Sequence, residues 1–83
     1  MKILCTIKDT AVEAFGPTFE VRATGEAMRM FKDEVNNEQS RINKHPQDFE
    51  LYKVGMFDDQ TGELTGMTPE RIARAIDIKE MQS

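Results

Sequence analysis

Arg41, Lys44 and His45 fall within five residues of one another in a polar stretch, the densest positive cluster in the chain. Guanidinium and ammonium groups held this close are suited to phosphate oxygens, whichever bases lie between them. His45 adds charge only below about pH 6.5 unless its surroundings shift it. A solvated loop bearing a few cations explains the same residues without a ligand. A second set, Lys2, Lys8, Arg22 and Lys53, falls at strand positions that alternation points outward. Beside them Tyr52 and Phe57 could stack on bases if that face is open. The competing account is that these rings, like most aromatics in small domains, fill the core.

Other chemistries find less support. Asp9, Asp58, Asp59 and Glu63 could form acid/base pairs, but Asp58 to Glu63 lies where a hairpin must turn, and turn residues account for it. The same segment lacks the alternating oxygen ligands of a calcium loop. Cys5 sits between Ile3 and Ile7 with only Lys2 and Lys8 nearby, the setting of a buried, unreactive thiol. One cysteine and one histidine form neither a disulfide framework nor a structural zinc site. No catalytic residue, metal or cofactor is expected.

These residues must be positioned by one small domain, because 83 residues leave no room for a second core. The net charge of −4 argues against a protein that coats nucleic acid by charge alone. Residues 1–8 carry +2, 9–40 carry −4, 41–68 carry −2, and 69–83 balance, so any basic surface must be assembled by the fold. No apolar run reaches the roughly 20 residues that span a bilayer, and no signal-peptide core is visible. A soluble, cytoplasmic protein with no membrane contact is the expectation.

Residues 2–8 alternate Ile3, Cys5 and Ile7 against Lys2, Thr6 and Lys8, a half-buried strand in which Leu4 puts one apolar residue outward. Residues 9–17 read as a loop closed by Gly16-Pro17, yet Ala11, Val12, Ala14 and Phe15 make it apolar, so it should fold over the sheet edge or touch another chain. Residues 18–23 form a second strand with Phe19 and Val21 inward. A helix follows, with Thr24 as N-cap, Glu26 in its first turn, and Ala27, Met30, Phe31 and Val35 on one stripe to Asn36. The polar stretch 36–48 lacks periodicity and reads as a long functional or mobile loop.

From Phe49 to Met67 the pattern is a hairpin, with Asp59, Gln60, Thr61 and Gly62 at the turn and Gly62 in its left-handed position. Its first strand has Phe49 and Leu51 on one side and Tyr52, Val54 and Met56 on the other, so either a bulge near 51–52 switches the faces or both faces are covered. A second helix is expected from Thr68 as N-cap, with Pro69 in the first helical position, to about Lys79. The fold class is α+β, a four-stranded, mainly antiparallel sheet with two helices on one face in the order ββαββα. Apolar residues on both faces of 49–57, Leu4 and the loop 11–15 exceed what one helical layer covers, so a homodimer is expected.

The runs TGEAMRMFKDEVN at 24–36 and KHPQDFELYKVGMFDDQTGEL at 44–64 carry a pattern: Gly25, Glu26, Ala27, Arg29 and Phe31, then His45, Pro46 and Asp48, then Gly55, Phe57 and Asp58. In this the chain resembles the small nonstructural protein of gokushoviruses, tailless single-stranded-DNA phages of the microvirus group. The resemblance implies a nonenzymatic accessory protein in the host cytoplasm that assists replication or packaging of a single-stranded DNA genome, with single-stranded DNA as partner. The alternative is an adaptor that binds a phage replication initiator or a host replication protein without touching nucleic acid. No catalytic residues come with the resemblance.

Overall fold

The strand β4 (Phe49–Phe57) is hydrogen-bonded along both edges in a computed structural model of the protein, which describes residues 1–79. On one side β1 (Lys2–Asp9) runs antiparallel from Lys2 opposite Phe57 to Asp9 opposite Phe49. On the other, β5 (Leu64–Arg74) completes the hairpin. The outer edge of β1 is shared by β2 (Ala14–Phe15), beside Lys8 and Asp9, and β3 (Phe19–Val21), beside Ile3 to Cys5. The sheet therefore has five antiparallel strands where four are expected. The additional one is β2, inside the apolar segment 9–17. There Thr6 Oγ1 donates to the Gly16 carbonyl at 2.7 Å, and the segment folds over the sheet edge, leaving Thr6 buried.

Helix α1 (Thr24–Val35) spaces Ala27, Phe31 and Val35 four apart and buries all three against Cys5, Val21, Phe49 and Leu51. It starts where the sequence predicts, with a different cap. Ala23 holds the extended cap position and no side chain closes it, while Thr24 is already helical. Asn36 ends the helix, its side-chain amide donating to the Lys32 carbonyl at 3.0 Å. The stretch 36–48 is anchored rather than a long loop. Ser40 Oγ accepts from the Ile42 amide to cap α2 (Arg41–Lys44), and Ile42 and Pro46 are buried. A 3₁₀ turn over Pro46–Asp48 then leads into β4, and the Asp48 carbonyl accepts from the Thr10 amide at 2.7 Å.

The hairpin turn matches its chemistry. The Asp58 carboxylate accepts from the amides of Gln60 and Thr61, which holds its pKa below the ordinary carboxylate value, and Gly62 takes φ 78°. On the way β4 carries a bulge, two residues later than the expected 51–52, so that Tyr52 stays on the outer face. Leu4 faces Gly55 and Cys5 faces Lys53, so Val54 is an extra residue. Leu51, opposite Ile7, and Met56, opposite Ile3, are thereby brought to the face that carries the core.

The second expected helix is the main departure. Thr68, Pro69 and Glu70 lie inside β5, which continues to Arg74. Gly66 pairs with Gly55 and Glu70 with Lys53, so Met67, Thr68 and Pro69 stand opposite Val54 alone. A proline without an N–H is accommodated in such an irregular stretch, and the ladder resumes beyond it. Pairing of Arg71, Ala73 and Arg74 with Tyr52, Leu51 and Glu50 outweighs the local capping signal, since a single short helix has little stability of its own. Helix α3 (Ala75–Ile78) is one turn, with Ala75 buried among the core residues. The layer over the sheet thus consists of three short helices rather than two.

Candidate nucleic-acid interface

Cross-strand partners share a face of the sheet. Ile3, Cys5 and Ile7 pack on the core, so the even-numbered residues of β1 and their partners form the opposite, outer face. From the hairpin turn downward its rows read Lys2–Phe57–Leu64, then Glu20–Leu4–Gly55–Gly66, then Thr6–Tyr52–Arg71, then Phe15–Lys8–Glu50–Arg74. Four cations and two carboxylates stand on this face of a chain whose overall charge is −4. The basic surface absent from any one stretch of sequence is assembled here by pairing of β1, β4 and β5.

At the lower end of this face Phe15 and Tyr52 meet edge to face, their ring centroids 5.2 Å apart. Lys8 Nζ stands 5.3 Å from the Phe15 ring centre. The Tyr52 hydroxyl donates to Glu50 at 3.0 Å, and Arg71 reaches the other oxygen of that carboxylate at 3.4 Å. Partial burial, and next the bond to Glu50, raise the Tyr52 pKa, keeping the ring a neutral phenol. Phe15 is 45 % exposed. An exposed ring with an ammonium beside it, and a guanidinium beyond its partner Tyr52, can stack on a base while the cations meet the adjoining phosphates.

The residues singled out from sequence fall in four places. Lys8 and Tyr52 join the aromatic cluster, and Lys2 lies farther up the same face, 4.0 Å from Glu20. Lys53, expected on the outer face, instead sits beside the bulge opposite Cys5, on the core side of the sheet, because the extra residue Val54 changes the alternation between it and Gly55. Burial pushes the Cys5 thiol pKa up, and the nearby ammonium offsets this in part. Arg22 is exposed just past the end of β3. Arg41, Lys44 and His45 are on α2 and its C-terminal end, all exposed. There Arg41 is 3.6 Å from Asp9 and lies over the Phe49 ring, partners of the same kind that Arg71 has in Glu50 and Lys8 in Phe15.

Two members of the cluster were not among those candidates. Phe15 reads as part of a loop, and Arg71 falls in a segment with helix signals. The surplus of apolar residues in 9–17 is the one sequence signal that pointed toward Phe15.

Elsewhere an open apolar cleft of about 490 Å³ lies between α1 and the sheet, lined by Ile7, Phe19, Met30, Phe31, Glu34 and Ile42. One carboxylate on its wall, with no nucleophile or base beside it, gives it no catalytic set. Among the described residues no three His, Cys, Asp or Glu side chains gather to hold a metal ion, and no helix is long and apolar enough to cross a membrane.

A family model described as "Phage ORF5 protein" matches residues 2–78, nearly the whole chain. No curated protein and no solved structure matches.

Proposed function

The chain belongs to the phage ORF5 protein family, and from that premise we propose that it is a nonenzymatic accessory protein that contacts single-stranded DNA during replication or packaging of a phage genome of the gokushovirus kind. The observation that carries this reading is the Phe15–Tyr52 pair between Lys8 and Arg71 on the outer face of the sheet. Its chemistry suits a single strand: a ring for one base, cations for the neighbouring phosphates, and no deep groove that would demand a particular sequence. The cation count is small, so binding is weak, salt-sensitive and indifferent to sequence, as befits a protein that visits a strand rather than coats it. Host cytoplasm is where such a strand is made.

Titration of labelled single-stranded DNA at two salt concentrations tests this. Lys8→Ala with Arg71→Ala should weaken binding to all sequences alike and flatten the salt dependence by roughly 0.7 per lost contact. Phe15→Ala should weaken it by about 1–3 kcal/mol. Arg41→Ala with Lys44→Ala should leave it nearly unchanged; if only this pair matters, the contact belongs to α2. A wild-type protein that binds no DNA at low salt while capturing a replication protein would favour the adaptor instead. The exposed apolar residues Met1, Leu64 and Met67 give that second reading its support.

A further inference from the structure

Gly55 and Gly66 face one another in the second row of the outer face, and the two glycines have different reasons to be there. A Cβ on Gly55 would stand 2.6 Å from the Thr65 carbonyl oxygen, so the close approach of β4 and β5 excludes any side chain. At Gly66 a Cβ would meet nothing within 4 Å, and its φ is not positive. Neither backbone conformation nor packing within this chain requires glycine at 66. A glycine inside a strand costs stability; beside a bulge such as the one at Met67–Pro69 it is common, and it also leaves room for another molecule to come close. The pair forms a shallow trough beside Leu4. One row higher on the same face stands Leu64, 66 % exposed.

A ridge and a trough of matching size on one face are what a twofold contact requires, because each copy must present both halves. The charges select one of the two ways to align the copies. With strands parallel, the acidic turns carrying Asp58, Asp59 and Glu63 would meet each other. With strands opposed, and Leu64 seated over the other copy's Gly55–Gly66 row, the turn extends over the basic end of the face. Two residues past Phe57, about 7 Å at strand rise, Asp59 then comes level with the Tyr52–Arg71 row of the other copy. The shape of the chain agrees. Its extents are 48 × 24 × 18 Å, and it exposes 5680 Å² where a compact monomer of 9.5 kDa exposes about 5,000 Å².

We propose that a second copy of this chain occupies the outer face, strands opposed, with each Leu64 in the other's Gly55–Gly66 trough and each acidic turn over the other's Lys8 and Arg71. The dimer then covers the surface assigned above to single-stranded DNA, so the two occupants compete. That competition rests on the nucleic-acid reading, whereas the dimer does not.

Sedimentation equilibrium without DNA, from low to high micromolar protein, decides the dimer. Wild type should reach twice the mass of one chain. Gly66→Val fills the trough with a residue that strands favour, so it should melt at the same temperature or higher by circular dichroism yet dissociate at roughly tenfold higher concentration or more. Leu64→Asp should be monomeric and folded. Asp59→Asn with Glu63→Gln, which spares the Asp58 carboxylate that holds the turn, should weaken association several-fold, an order typical of charges at an interface rim. A monomeric wild type at high micromolar concentration, or a Gly66→Val protein as dimeric as wild type, overturns the proposal. The Gly66→Val monomer should also bind single-stranded DNA more tightly than wild type at equal high concentration; equal binding would overturn the competition.

Discussion

The two ends of β4 are built to different rules. At Phe49 and Leu51 the strand lies under α1 and α3, with Phe31, Val35 and Ala75 packed on it and almost no area left to water. From Gly55 onward the same strand is held by β1 and β5 alone, and every residue from Asp59 to Arg71 is exposed. The covered end can tolerate no change of volume, because its side chains have settled against one another. At the hairpin end the backbone ladder does the holding, which leaves the side chains available for contact with something else. A domain of this size has core enough to secure one end of a long hairpin; the Phe15–Tyr52 cluster lies on the outer face behind that secured end, and the free end offers the exposed Leu64 and the acidic turn.

The contrast can be broken most directly by truncating one large side chain at each end. Phe31→Ala should cost about 3–5 kcal/mol, a large part of the stability of so small a domain. Leu64→Ala, studied dilute enough to be monomeric, should stay within about 0.5 kcal/mol. Urea midpoints lowered equally by both changes would mean that the two ends share one core. A finer version concerns the glycine pair. Gly55→Ala drives a methyl group into the Thr65 carbonyl and should cost about 1–3 kcal/mol, while Gly66→Ala should be neutral or stabilise by up to about 1 kcal/mol. The smallest effect distinguishes a true cap from an apparent one. Ser40→Ala should lose about 1 kcal/mol with the cap of α2, and Thr68→Ala, in a strand, should move the denaturation midpoint hardly at all.

Thr68 also shows where the sequence misleads. Thr-Pro-Glu ahead of Ile72, Ala75 and Ile76 is a well-formed helix start, and no residue there announces that Arg71 will lie beside Tyr52. Helix signals are local, whereas the reason for the strand is β4, a partner some twenty residues earlier. Where local and long-range reasons agree, the sequence is legible. Strand β1, the turn with Gly62 and the stripe Ala27–Phe31–Val35, without the exposed Met30, follow from spacing and residue type; the need for a bulge in β4 was also readable, though it falls at Val54 rather than near 51–52. The outer face was legible in part. Alternation placed Lys2 and Lys8 on it and offered Tyr52, but Phe15 reaches that face only because β2 pairs with the end of β1, and Arg71 only because β5 overrides the cap. The dense cluster at Arg41 stays together on α2 and its C-terminal end, apart from the aromatic pair on the outer face.

The position of β1 beside β4 has a consequence for the order in which the protein comes into being. Its long partner is not synthesised until residue 57, and before then only the five residues of β2 and β3 are available to it. At about 5–20 residues per second, several seconds separate the appearance of the first strand from that of its neighbour. The hairpin β4–β5, by contrast, can close across its own turn within microseconds of leaving the ribosome. Strand β1, made before its long neighbour, is therefore among the last to be secured, and for that interval the apolar Ile3, Leu4 and Ile7 depend on the cell, rather than on the fold, to be kept from other chains.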